Sequence, residues 1–87
     1  MMGNPRTSIS VYTERIISRS KKELVVWLSK LNIKKLKEQT WVYIFVGREG
    51  IKFEKLGRYA LSEVLPESKC KNTYTYYKCR LKLLRGF

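Results

Sequence analysis

The carboxy-terminal part of the chain carries the side chains best suited to hold a polyanion. Between residues 73 and 84, aromatic or cationic residues alternate with mostly apolar ones. Because successive side chains of a β-strand point to opposite faces, a strand here presents one apolar face and one aromatic, cationic face. The second face carries Tyr74, Tyr76, Lys78, Arg80 and Lys82. Tyrosine rings stack on nucleobases and cations neutralise phosphates, so this pattern favours binding of single-stranded nucleic acid.

Four lysines in the middle of the chain form a second candidate surface, on a helix face. They are Lys30, Lys34, Lys35 and Lys37. Few glutamates stand four residues away, where they would balance the charge on a helix. Unpaired cations at this density favour contacts with phosphates and the counterion release that accompanies them. Arg48 and Lys52, at and beside the tip of a predicted hairpin, are further candidate nucleic-acid contacts.

The charge balance and the missing residue types narrow the function. Lys and Arg number 19 against 7 acidic residues, all of them Glu, which gives a net charge of +12 in 87 residues. The chain has no His and no Asp, which excludes Ser-His-Asp and Cys-His catalysis and removes the commonest metal ligands. We therefore expect a non-enzymatic nucleic-acid-binding protein with no catalytic residues, no metal and no cofactor. DNA and RNA stay equally open as its ligand.

Two other functions fit the same composition. A small RNase, or a ribosome-dependent toxin that cleaves messenger RNA, needs no His if cations stabilise the charge on the reacting phosphate. The residues available for that chemistry are Tyr76, Lys78, Arg80 and Arg85. The other alternative is an inhibitor, encoded by a virus or a mobile element, that docks on an acidic protein surface.

The only two cysteines, Cys70 and Cys79, do not suffice for a structural zinc site, which usually has four ligands. We expect both to be reduced thiols, because disulfides are rare in the cytosol. A disulfide between Cys70 and Cys79 is the alternative.

No segment of the sequence is apolar enough to cross a membrane. The longest purely apolar run, Trp41–Val46, has six residues, against the roughly 20 that a helical span needs. We expect a cytoplasmic protein, in the host cytoplasm if the chain is virus-encoded. The same run can pair across a homodimer as readily as within one sheet.

Residues 1–6 are expected to form a flexible tail, and residues 7–87 a single basic domain, since so short a chain closes only one core. Alternation predicts a first strand over residues 7–13, while residues 14–19 fit either its continuation or a helix start. Ser20 and Glu23 have the spacing of a capping box, which predicts a helix over Lys21–Leu31. Its apolar stripe is Leu24, Trp27, Leu28 and Leu31. Either this helix ends at Asn32 and a short second helix covers residues 33–38, or a single helix continues through them with different contacts.

The second half of the chain favours strands. Trp41–Val46 and Ile51–Leu56 flank the glycine-bounded turn Gly47–Gly50, which predicts a β-hairpin. A short helix is expected over Gly57–Leu65, stopped by Pro66, followed by a loop and then the long last strand described above.

These elements predict an α+β fold, a single small domain with an antiparallel sheet and one main helix. The expected order is β-α-β-β-(α)-β. It matches the ferredoxin-like plan, which we rank first, ahead of a winged helix with the hairpin as its wing.

Overall fold

A computed structural model describes residues 7–85 as a six-stranded sheet with one α-helix. The strands are β1 (Ser8–Tyr12), β2 (Ile16–Arg19), β3 (Glu23–Ser29), β4 (Val42–Gly47), β5 (Glu54–Lys71) and β6 (Tyr74–Arg85). The helix α1 spans Lys30–Glu38, and a short 3₁₀ helix, Thr13–Arg15, joins β1 to β2. The predicted α+β class is confirmed. The predicted tail over residues 1–6 lies outside the described residues.

The sheet has the strand order β1-β4-β5-β6-β3-β2. β1 pairs with β4 in parallel, and the other four pairings are antiparallel. The sheet is therefore mixed rather than purely antiparallel. Neither the ferredoxin-like nor the winged-helix order is found, because the segments expected to supply further helix form strands instead.

The sheet curls strongly, because its two edge strands are joined by only three residues, Thr13–Arg15. A flat six-stranded sheet would hold its edges about 24 Å apart, at roughly 4.8 Å for each of five spacings. The four Cα steps from Tyr12 to Ile16 span at most about 15 Å. We call the concave side the inner face. It holds one hydrophobic core, which includes Ile9 of β1 and Val26 of β3.

The helix α1 covers part of this core with two buried side chains, Ile33 and Leu36. Their exposed fractions are small, and both belong to the same buried cluster as the inner residues of β3 and β6. Burying these two side chains attaches the helix to the sheet. This leaves the other side of α1 free to face solvent.

The predicted helix over Lys21–Leu31 is wrong, because most of that segment forms β3. Leu24 and Leu28 are four residues apart, a spacing that satisfies both a helical stripe and strand alternation. Val26, midway between them, is also buried, so every second residue of this segment faces the core, as in a strand. The Ser20 hydroxyl does accept a hydrogen bond from the Glu23 amide, at 3.1 Å, but it does so in the turn that leads into a strand.

The predicted helix over Gly57–Leu65 and the predicted loop after Pro66 are also wrong, because β5 runs through both. Gly57 has a φ of 144°, a conformation that glycine adopts more readily than other residues. Pro66 lies where the register with β6 shifts, between Val64 and Ser68. A proline is tolerated at such an irregularity, since it cannot donate to the ladder.

The predicted hairpin after α1 is confirmed, with β4 and β5 antiparallel. Its turn is closed by a hydrogen bond from the Ile51 amide to the Arg48 carbonyl, at 3.0 Å, and Gly50 has a φ of 81°. The predicted first and last strands are confirmed as β1 and β6. The β5–β6 hairpin turns at Asn72, whose φ of 59° is in the left-handed region that asparagine tolerates.

Candidate nucleic-acid interface

The helix α1 presents a row of lysines to solvent. Its first turn is capped by Ser29, whose hydroxyl accepts a hydrogen bond from the Asn32 amide at 3.4 Å. Since Ile33 and Leu36 face the core, Lys30, Lys34 and Lys37 fall on the exposed side. Lys35 is half-buried. Among residues 7–85, no glutamate oxygen lies within 4.0 Å of these lysine ammonium groups. Three of the four lysines predicted on a helix face are therefore exposed on α1 without a glutamate partner among the described residues.

The surface along this helix and at the tip of the β5–β6 hairpin contains two neighbouring grooved parts, which share Lys30 and Leu31 in their lining. One part, of about 440 Å³, is lined by Ser29, Lys30, Leu31, Thr73, Tyr74, Thr75 and Tyr77. The other part, of about 460 Å³, follows the helix and is lined by Lys30, Leu31, Ile33, Lys34 and Lys37. We call the combined surface of Lys30, Leu31, Lys34, Lys37 and Tyr74 the helix–hairpin surface. Its two apolar members are strongly exposed, Leu31 at 65% and Tyr74 at 62%.

The rest of the predicted strand face is engaged within the protein. Tyr76 is 8% exposed, with the Arg15 guanidinium carbon 4.3 Å from the centre of its ring. The Lys78 ammonium lies 3.3 Å from a Glu67 carboxylate oxygen. The Arg80 guanidinium donates to Glu63 at 2.6 Å. Lys82 is exposed and stands opposite Glu23 in the β3–β6 register.

The hairpin candidates Arg48 and Lys52 are not brought to the helix–hairpin surface. α1 leads into the start of β4, whereas Arg48 and Lys52 follow the end of this six-residue strand. The strand separates the two regions by about 20 Å. Arg48 instead lines a small cavity together with two carboxylates, those of Glu14 and Glu49.

Sequence reasoning missed a set of cations that lie over aromatic rings. The Lys69 ammonium lies 4.8 Å from the centre of the Trp27 ring, and Arg58 lies 5.2 Å from that of Trp41. The Trp41 ring also meets the Tyr43 ring edge-on, at 5.0 Å between centroids. Each of the two cation–ring pairs joins residues that are distant in the sequence, so only the strand order and register bring them together. No local pattern in the sequence signals them.

The two cysteines are free thiols, Cys70 exposed and Cys79 buried. In the β5–β6 ladder Cys70 stands opposite Thr75, four residues before Cys79. That separation is about 13 Å, beyond the reach of a disulfide without rearrangement. Burial raises the pKa of Cys79 to about 11, with Lys37 opposing the shift. The Cys79 thiol, which also donates to the Tyr77 carbonyl at 3.5 Å, therefore stays protonated at neutral pH.

Comparisons with known proteins add no assignment to this geometry: no protein-family model, curated protein or solved structure matches the chain. Within the described range, cysteines and glutamates form no group of three that is able to hold a metal ion. Over the same residues, the structure contains no helix with the length and apolar character needed to span a bilayer.

Proposed function

We propose that this protein binds single-stranded nucleic acid, without cleaving it, through the helix–hairpin surface. The observation that carries this proposal is the placement of three uncompensated lysines of α1 and two exposed apolar side chains, Leu31 and Tyr74, along two neighbouring grooves that share Lys30 and Leu31. A polyanion with flat apolar bases matches both features of that surface. Its role would then lie in the cytoplasm, or in the host cytoplasm for a virus-encoded protein.

The start of α1 adds to the attraction for phosphate. The first turn contains no acidic residue, and Lys30 opens the helix. Amide N–H groups of a first turn have no partner within the helix, and the helix dipole adds partial positive charge there. A phosphate in the groove beside Ser29 and Lys30 lies at this end of the helix, where both terms are favourable.

The exposed tyrosine favours a single strand over a duplex. A duplex hides the flat faces of its bases in the stack, whereas a single strand offers them to a protein ring. Stacking of one base on an aromatic side chain contributes about 1–3 kcal/mol and tolerates any sequence. Tyr74 is the tyrosine of the predicted strand face that has an exposed ring for this contact, since Tyr76 is buried.

The test compares two double variants with the same loss of charge. K30Q/K34Q changes the helix–hairpin surface, and K21Q/K22Q changes exposed lysines before β3, at the end of that strand away from α1. Binding of labelled oligo-dT, oligo-U and duplex DNA is followed by fluorescence anisotropy over a salt series. K30Q/K34Q should weaken single-strand binding on the order of tenfold and reduce the salt slope by about 1.4, at ~0.7 for each lost phosphate contact.

The control variant K21Q/K22Q should keep the wild-type salt slope and lose little affinity. Equal effects of the two variants would show general charge attraction with no particular surface. Absence of single-strand binding by the wild-type protein, or cleavage of the RNA probe, would overturn the proposal.

A further inference from the structure

A further, smaller cavity lies between the β5–β6 hairpin and the short 3₁₀ helix that joins β1 to β2. It has a volume of about 100 Å³ and is lined by Glu14, Arg15, Trp27, Lys69, Lys71 and Tyr76. It is therefore roomy enough for several water-sized groups. Three of the lining residues are cations and one is a carboxylate, so the lining carries net positive charge.

Two of the three cations of this cavity lie over ring faces. Arg15 lies over Tyr76 at 4.3 Å, and Lys69 over Trp27 at 4.8 Å. No carboxylate oxygen of residues 7–85 lies within 4.0 Å of the Arg15, Lys69 or Lys71 charged groups. A ring face orients a cation without consuming its N–H donors, and a guanidinium keeps its donors in a plane suited to phosphate oxygens.

We propose that this cavity is a phosphate-binding site. Arg15, Lys69 and Lys71 supply charge and N–H donors, and the rings of Trp27 and Tyr76 hold two of these cations in place. Glu14 opposes the anion and limits the affinity. The shared chemistry is a phosphate group, whether it belongs to a nucleic-acid strand or to a free ion.

The position of Lys71 connects this cavity to the helix–hairpin surface. Lys71 stands directly opposite Tyr74 in the β5–β6 ladder, so their side chains leave the same side of the hairpin. A nucleic-acid strand with one base stacked on Tyr74 can therefore place a neighbouring phosphate at Lys71. The inference that Lys71 contacts a nucleic-acid phosphate rests on the proposed function. It adds a second point at which the same nucleic-acid strand contacts the protein.

The test uses Trp27 fluorescence in a Trp41→Phe background, which leaves Trp27 as the only tryptophan. Inorganic phosphate is titrated against NaCl of equal ionic strength. Two further arms use a short oligonucleotide with a 5′-phosphate and the same oligonucleotide with a 5′-hydroxyl, which separate a terminal phosphate from an internal one. The free ion alone should change the Trp27 signal if the site is built for phosphate.

Three single variants test which residues contribute to phosphate binding. Lys71→Gln should weaken phosphate binding severalfold, and Glu14→Gln should strengthen it, a gain that loss of folding does not produce. Lys82→Gln, an exposed position eight residues along β6 from Tyr74, should have no effect. No phosphate-dependent signal, or equal responses of the K71Q and K82Q variants, would overturn the phosphate site.

Different results would overturn the phosphate site and the proposed nucleic-acid binding. Oligonucleotide binding that depends on Lys30 and Lys34 but ignores Lys71 and Glu14 would remove the phosphate cavity and leave the proposed function intact. Binding of inorganic phosphate at Trp27 without any oligonucleotide binding would overturn the proposed function and keep the phosphate site.

Discussion

Tyr74 and Tyr76 are alternate residues of β6 and project from the same side of the strand, yet Tyr74 is 62% exposed and Tyr76 is 8% exposed. Arg15 covers the Tyr76 ring, while Tyr74 stands at the hairpin tip beside the start of α1. The same side of one strand therefore presents one tyrosine ring to solvent and buries another.

Alanine substitutions at these two tyrosines should have opposite signatures. Tyr74→Ala should weaken single-strand binding by about 1–3 kcal/mol, the contribution of one stacked base, and change the free energy of unfolding by less than about 0.5 kcal/mol. Tyr76→Ala should lower the free energy of unfolding by about 2–4 kcal/mol, because it empties a buried site. Denaturant unfolding and anisotropy measure the two quantities. A stable Tyr74→Ala variant with full affinity would remove Tyr74 from the interface.

Two leucines of α1 provide a matched test of how the helix is held. Leu36 is 3% exposed and Leu31 is 65% exposed. Leu36→Ala should cost about 2–4 kcal/mol in the free energy of unfolding, since it leaves a cavity under the helix. Leu31→Ala should change it by less than about 0.5 kcal/mol. Similar losses in chemical denaturation would mean that α1 is not attached through Leu36.

The buried thiol of Cys79 makes stability depend on alkaline pH. Burial raises the pKa of Cys79 from 9.0 to about 11, so the unfolded chain loses this proton first as the pH rises. The favourable contribution is complete below pH 9 and is lost between pH 9 and 11. Relative to the Cys79→Ala variant, the free energy of unfolding should fall by about 2 kcal/mol over that range.

The comparison with Cys79→Ala is needed because burial also raises the pKa of Tyr59. Both proteins keep Tyr59, so the difference between their unfolding curves isolates the thiol. Parallel pH profiles of the two proteins would show that Cys79 ionises equally in the folded and unfolded states.

The ion pairs of Lys78 and Arg80 should lower the affinity of the protein for nucleic acid. E63Q/E67Q releases both cations and should raise affinity severalfold and steepen the salt slope, because released cations add phosphate contacts. Each exposed pair contributes at most about 1 kcal/mol to stability, so the variant stays folded. The control E49Q/E54Q makes the same charge change at exposed sites of the β4–β5 hairpin, away from α1 and from β6. An equal gain from the control would make the effect one of net charge alone.

Local patterns predicted the parts of the fold that depend on local chemistry. Alternation in β6, the glycine-bounded turn before Ile51 and the lysine-bearing helix were all readable from the sequence. The spacing of Leu24 and Leu28 predicts a helix where the structure has a strand, because a four-residue spacing satisfies both periods. The parallel pairing of β1 with β4 and the contact of Arg15 with Tyr76 join distant segments, and no local pattern encodes them.

For the candidate site too, the sequence predicts individual residues but not their arrangement. The lysines of α1 and the tyrosine at the hairpin tip were predicted separately, but only the fold places Lys30 and Tyr74 on one groove. Whether a cation is free or paired is a property of the strand register, as Arg80 and Glu63 show. Composition therefore predicts a polyanionic partner, and the structure distinguishes the cations held in ion pairs from the exposed lysines of α1.

The most direct measurement is the affinity of the wild-type protein for a single-stranded oligonucleotide of about 15 nucleotides between about 50 and 200 mM salt. Three or four phosphate contacts along the helix–hairpin surface predict that log K falls with log salt at a slope of about −2 to −3. Affinity that stays constant over this salt range, or no binding at the lowest salt, would contradict the proposal that these lysines hold a phosphate backbone.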